Sequence, residues 1–193
     1  YEKACRGPLA PIANEFAWGS TAIKCVSVGG WTGTEGTANE TPYYSQDPSY
    51  GPQNCVCGNT AQKYRAGGMM RVGCLGIGTG SRMKTGAGFY GMLELSGNVL
   101  ERTVTVANDT GRTFTGLNGD GALTAAGDAD VANWPGIDAV GTGSRGGSWT
   151  TVDPANGNGG ERLRIRTSDR AVAALTDASR TVYGGGRCVR LAP

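Results

Sequence analysis

The sequence predicts a loop-rich domain of short strands and turns, entered through a short helix. Three observations predict it. Glycine supplies 34 of the 193 residues, about two and a half times its average share. These glycines lie among Thr, Asn, Asp and Ser without a G-X-Y period or a tandem repeat, which is the composition of turns rather than of collagen or a solenoid. Six cysteines (Cys5, Cys25, Cys55, Cys57, Cys74, Cys188) form an even set in such a chain, and disulfides in an oxidising compartment suit it best. The length allows one domain with a real core. No internal boundary interrupts residues 1–193, which read as a single domain.

Tyr1-Glu-Lys-Ala-Cys-Arg6 is helix-compatible and is stopped by Gly7-Pro8. No N-cap precedes it, and neither an initiator Met nor a signal peptide is present. The run therefore reads as the last turns of a helix in a processed product or fragment. Residues 9–68 read as loops, punctuated by Pro11, Gly19, Gly29-Gly30, Pro42 and Gly51-Pro52. Strand-like pieces follow at Met69–Cys74, Gly88–Leu95 and Val99–Val106. Residues 111–136 form another loop excursion. Within it, Leu117-Asn-Gly-Asp-Gly-Ala-Leu123 resembles half an EF-hand loop but lacks the first and twelfth ligands, so it reads as a turn braced by Asn118 and Asp120. Arg145-Gly-Gly-Ser-Trp149 reads as a buried strand start whose glycines allow close backbone approach. Residues 150–185 look irregular, and Gly186-Arg-Cys-Val-Arg190 reads as a closing strand.

Several functions find no support. Net charge is +2, and no Lys/Arg block carries interleaved aromatics, so nucleic-acid binding is not indicated. No stretch approaches the roughly 18 apolar residues of a membrane span. The chain has no histidine, which removes His-based triads, His general bases and His-ligated zinc or iron. A four-thiolate zinc site from Cys25, Cys55, Cys57 and Cys74 is the rival to disulfides, but Cys-x-Cys is not the usual zinc knuckle. Asn39-Glu-Thr41 and Asn108-Asp-Thr110 are glycosylation sequons in form.

Gly91-Met-Leu-Glu-Leu-Ser-Gly-Asn-Val-Leu-Glu-Arg102 carries the most information. Glu94 and Glu101 flank the turn Ser96-Gly97-Asn98. Two carboxylates and the carbonyls between them, aimed at one spot, would serve a hard oxygen-seeking cation such as Ca²⁺. A strand with apolar residues inside and charges outside fits the same spacing.

Three segments in order resemble the formylglycine-generating enzyme (sulfatase-modifying factor) family. They are Tyr1-Glu-Lys-Ala-Cys-Arg-Gly7 with Ala17-Trp-Gly19, Tyr90 to Glu101, and Arg145-Gly-Gly-Ser-Trp149 with Gly186-Arg-Cys-Val-Arg190. The resemblance implies an α+β domain with the family's C-type-lectin-like fold, rich in loops. It implies a Ca²⁺ site from the side chains of Glu94 and Glu101 and the carbonyls of Gly97 and Val99, and so favours calcium as the cofactor. The family often has Asn where this chain has Glu94. The resemblance also implies a Cys5–Cys188 disulfide, worth up to about 5 kcal/mol for so long a loop. The other four cysteines have no counterpart in the family; Cys55 and Cys57 lie too close in sequence to pair together, which leaves two arrangements, Cys25–Cys55 with Cys57–Cys74, the preferred one, and Cys25–Cys57 with Cys55–Cys74.

The departures bear on function. Formylglycine formation needs two copper-binding cysteines shortly after the Arg-Gly-Gly segment. Thr151 stands at the first, and no cysteine lies between Cys74 and Cys188. The sulfoxide-synthase branch needs a histidine cluster, which is missing. The family's N-terminal part also has no counterpart, so a companion chain or self-assembly is expected to complete the fold. The sequence thus reads as a non-catalytic extracellular binding or adhesion module at the cell surface, with a protein or glycan ligand. Trp149, Asp153, Asn156, Asn158 and Tyr183 are its candidate contacts. The same scaffold serves as the variable receptor of diversity-generating retroelements. A structural subunit of a filament, sheath or surface layer fits about as well. An enzyme using Glu94 with Glu101, or Asp153 with Glu161, fits least.

Overall fold

The computed structural model describes residues 1–26, 31–34, 36–42, 54–57, 68–76, 80–117, 122–151, 162–179 and 181–185. These form a small mixed α and β protein in which loops outweigh regular elements. Helix α1 spans Glu2–Arg6 and ends as its sequence predicts. Gly7 takes φ 61°, and its N–H returns to the Lys3 carbonyl; glycine adopts that left-handed backbone without a Cβ penalty. Short strands β1 (Trp31–Thr32) and β2 (Thr41–Pro42) pair antiparallel. Helix α2 covers Arg82–Thr85, and helix α3 covers Asp109–Arg112. Asn108 caps α3, its side-chain oxygen accepting from Thr110 N at 2.8 Å. One of the two sequon asparagines thus serves as a helix cap.

The main sheet has three strands in the order β4-β3-β5, with β3 at Leu100–Val104, β4 at Thr142–Arg145 and β5 at Gly184–Gly185. Strand β3 arises where β-branched residues gather, in the run Val99-Leu-Glu-Arg-Thr-Val-Thr-Val106. It pairs antiparallel with β4, setting Glu101 opposite Arg145, and parallel with β5.

Two other runs expected as strands, Met69–Cys74 and Gly88–Leu95, are turns instead. Gly73 (φ 90°), Gly91 (φ 80°) and Glu94 (φ 60°) sit in left-handed backbone, which breaks an extended ladder. Arg145 ends a strand rather than starting one, for the same reason. Gly146 and Gly147 follow at φ 88° and 68°. Their burial is as expected, and a Cβ on Gly146 would lie 2.6 Å from the Leu95 carbonyl oxygen.

The apolar interior divides into two clusters. One gathers Cys5, Phe16, Trp18, Leu95 and Ile165. The other gathers Val26, Val56, Met70, Cys74 and Leu75. Two extended segments, bridged in parallel at Cys25 and Cys55, separate them. Side chains alternate along extended backbone. Cys25, Cys55 and Cys57 therefore enter the first cluster, and Val26 and Val56 the second.

That alternation corrects the cysteine pairing. The disulfide joins Cys25 to Cys57, with Cα atoms 5.3 Å apart, not Cys25 to Cys55. Cys55 is the backbone partner of Cys25, but its thiol donates to the Ser96 carbonyl at 3.3 Å. Nor does Cys57 pair with Cys74, which lies across the segment in the second cluster. The bridge also removes two thiolates from the rival zinc set. Cys5 is buried in the first cluster; its expected partner, Cys188, lies outside the described residues, as do the expected closing strand and residues 118–121 of the EF-hand-like turn.

Glu2 ties α1 to the rest of the chain. Its carboxylate receives Arg6 at 3.0 Å, Arg145 at 3.0 Å and Arg170 at 2.6 Å. Burial opposes its ionisation, but the hydrogen bonds from Arg145 and Arg6 and the field of Arg170 outweigh this and hold its pKa below the ordinary 4.5. A carboxyl whose folded pKa is depressed stabilises the fold above the unfolded pKa and loses that contribution as pH falls through the folded one. The stability gap between wild type and Glu2→Gln should be full at neutral pH and close as pH falls below 4.5. Urea unfolding of both proteins from pH 7 to 3 checks this; a gap independent of pH would refute it.

Candidate functional site

The loop from Glu94 to Glu101 is held from several sides. Glu94, Gly97 and Asn98 all take left-handed backbone, at φ 60°, 90° and 62°. Gly97 donates to the Gly146 carbonyl at 2.7 Å, and Asn98 donates to Val56 at 2.8 Å. Only glycine fits at position 97, because a Cβ there would lie 2.6 Å from both Cys55 Sγ and the Val56 carbonyl oxygen. The Ser96 hydroxyl donates to Ile165 O at 2.7 Å and accepts from Ala17 N at 3.0 Å. The Tyr1 hydroxyl donates to the Leu95 carbonyl.

Glu94 is 4 % exposed. One of its oxygens accepts from Gly73 N at 3.0 Å and faces the Cys74 thiol; the other accepts from Asn98 Nδ2 at 2.9 Å. The Asn98 side chain continues the network, accepting from Met70 N at 2.9 Å and donating to Met70 O at 2.8 Å. Glu94 and Asn98 thereby clamp residues 70–74 to the loop. Burial, reinforced by the charges of Glu94 and Glu40, pushes the Cys74 thiol up to about 12. It remains a protonated donor rather than a nucleophile.

Glu101, 6 % exposed, sits on β3 opposite Arg145 and beside α1. Burial first, and the charge of Glu101 with it, raise the Cys5 thiol to about 11. Burial, with the fields of Cys5 and Glu101, also raises the Tyr1 phenol well above its usual value. The loop thus directs Glu94 toward Gly73 and Cys74, and Glu101 toward Tyr1 and Cys5. Gly97 is buried between them, while the Val99 side chain packs against Gly185. Among the described residues, no three Cys, Asp or Glu side chains form a metal-holding group. The expected calcium set contains two carboxylates and two carbonyls, a hard oxygen set suited to that ion. A carboxylate has about four lone-pair sites, so the bonds Glu94 accepts do not bar it from a cation.

Of the expected ligand contacts, Trp149 and Tyr183 come close together. Trp149 packs partly on the second cluster, its N–H donates to Asn98 O at 2.7 Å, and its indole donates to Val182 O at 3.1 Å. The adjacent Tyr183 is exposed and accepts from Leu100 N at 2.8 Å. Asp153, Asn156 and Asn158 lie outside the described residues. Thr151 is buried and accepts from Ser148 N at 2.9 Å.

Sequence reasoning missed two further buried acids. Glu15 pairs with Arg6 at 2.6 Å. Glu40 accepts from Gly36 N at 2.7 Å and Arg71 N at 2.9 Å. Neither has a local sequence signal, because their partners are set by long-range packing or by loop backbone. No protein-family model, no curated protein and no solved structure matches the chain.

Proposed function

We propose that this chain is a non-catalytic extracellular binding or adhesion module on a C-type-lectin-like scaffold of the formylglycine-generating-enzyme type. The observation supporting this reading is the pairing of Trp149 with the Val182–Tyr183 segment, next to a rigidly hydrogen-bonded loop. A fixed frame presenting aromatic side chains is the common arrangement of recognition surfaces. Calcium is the structural brace this reading expects, on the oxygens of Glu94, Glu101, Gly97 and Val99, and holding it would require the two carboxylates to turn from their present partners toward one point. The ligand is a protein or glycan at the cell surface.

A structural subunit of an extracellular assembly is the second reading. Its support is the number of strongly exposed apolar side chains, Val106, Leu117, Leu123 and Ile137 among them, which contacts between copies or with a companion chain would cover.

Sedimentation velocity and thermal melting, each in Ca²⁺ and in chelator, test both readings. The binding module sediments as a small discrete particle; the subunit forms large homopolymers. Ca²⁺ at a hundred times its Kd adds about 2.7 kcal/mol, roughly 5–10 °C in a chain of this size. Glu101→Ala should abolish that difference. Identical melting of wild type in Ca²⁺ and chelator would remove calcium from the proposal.

A further inference from the structure

A concave surface that shares no lining residue with Trp149 or Tyr183 is built by the loop after α3 and the turn before β4. A cleft of about 460 Å³ is lined there by Thr110, Thr113, Asp128, Asn133, Trp134 and Asp138, among others. Its volume falls within the roughly 300–1,000 Å³ usual for small-molecule sites. A smaller cleft of about 240 Å³ adjoins it along β3, reaching Thr103 and Arg102. Trp134, Pro135 and Gly136 line both.

Trp134 forms the shared wall. It is 40 % exposed, and its ring is held by an edge-to-face contact with Phe114, centroids 5.4 Å apart at 80°. Pro135 restricts the backbone on both of its sides, and the Trp134 N–H bonds the Val131 carbonyl at 3.2 Å. The platform is therefore set before any ligand arrives, which reduces the ordering cost of binding. Its indole N–H also differs from those of Trp18 and Trp149. Trp18 and Trp149 donate theirs to Ala22 O and Val182 O, whereas Trp134 donates to none of the described residues.

Around this platform the polar groups are short and oxygen-rich. Asp128, Asp138 and Asn133 offer carboxylate and amide oxygens, and Thr110 and Thr113 offer hydroxyls. Asp138 is fixed by accepting from Val140 N at 3.0 Å, and the Thr113 hydroxyl by donating to Thr110 O at 2.7 Å. A pyranose ring presents one face of C–H groups and a rim of hydroxyls. An aromatic face takes the first, and carboxylate, amide and hydroxyl groups take the second. The larger cleft carries two carboxylates and no basic lining residue, so the ring stacked there is a neutral one; the basic residue of the adjoining cleft, Arg102, donates to Ser179 O at 3.0 Å. The adjoining cleft lets a second ring extend toward Thr103.

We propose that the Trp134 cleft binds a neutral oligosaccharide, with one pyranose stacked on the indole and the next directed along β3. This inference rests on the reading of the chain as a binding module but locates its ligand apart from Trp149.

The test titrates the full chain, ¹⁵N-labelled, with neutral oligosaccharides of glucose, galactose, mannose and N-acetylglucosamine, and with oligo-uronates as anionic comparison. Binding is read at the indole and backbone N–H signals, with the Trp134 indole assigned from its loss in Trp134→Phe and the variants that lack it read at the backbone signals of residues 133–138. At least one neutral oligosaccharide should shift the Trp134 signal to saturation. Trp134→Ala should raise its Kd about tenfold or more, with smaller increases for Trp134→Phe and Asp138→Asn. Thermal melting of each variant checks folding; if Trp134→Ala unfolds, Trp134→Phe and Asp138→Asn carry the comparison. The proposal falls if no neutral sugar moves the Trp134 signal, or if oligo-uronates bind equally well. Affinity retained in Trp134→Ala but lost in Trp149→Ala overturns this site and leaves the binding-module reading intact. Polymers that dissolve on Trp134→Ala would instead make the cleft a contact between copies, overturning both.

Discussion

Asn98→Ala is expected to cost about 4 kcal/mol of stability. The side chain is buried and makes three hydrogen bonds, to Glu94, Met70 N and Met70 O. Its removal leaves a buried carboxylate short of a donor and two Met70 backbone groups unpaired, and buried groups left in this way carry the full desolvation penalty. The remainder is backbone strain, since alanine at φ 62° costs about 1 kcal/mol more than glycine. Asn98→Gly separates the two contributions. It should lose the hydrogen-bond part and keep the turn, landing about 1 kcal/mol above the alanine variant. Urea midpoints at pH 7 measure both. A loss below 1 kcal/mol in Asn98→Ala would mean that the Glu94 network does not hold residues 70–74 to the loop.

Cys57→Ser is expected to cost about 3–4 kcal/mol, because the bridge it removes closes a loop whose ends are 32 residues apart. Reduction of wild type should produce at least as large a loss. Cys55→Ser should be much milder, since it leaves the Cys25–Cys57 bridge in place. Peptide mapping without reductant provides the direct check, recovering Cys25 linked to Cys57. Recovery of Cys25 linked to Cys55, or an unfolding midpoint indifferent to reductant, would overturn the assignment.

The two experiments probe what was and was not legible. The expected opening helix stops at Gly7 because a positive φ there suits glycine, a purely local signal. The β-branched run from Val99 became β3 for the same reason. The runs 69–74 and 88–95 look equally strand-like, yet both are turns. Glu94 is the instructive residue. Its carboxylate is buried on Asn98 and Gly73, and its backbone takes a conformation that a glutamate rarely adopts alone. Partners that are distant in sequence decide that, and no window of neighbours reveals it.

At the candidate site the sequence singled out Glu94 and Glu101 but not their surroundings. Asn98 was read as part of a turn; in the fold it clamps a segment 28 residues away. The Trp134 cleft went unnoticed because its lining residues come together only when the loop after α3 meets the turn before β4.

The abundance of loops, the end of α1, the place of β3 and the absence of histidine chemistry follow from the residues alone. They depend on composition and on backbone preferences that act within a few positions. Which sulfur Cys25 takes, where each buried carboxylate finds its donors, and which aromatics share a surface depend on the tertiary structure. Those outcomes turn on which face of an extended segment meets which cluster, and long-range burial, rather than local preference, sets that.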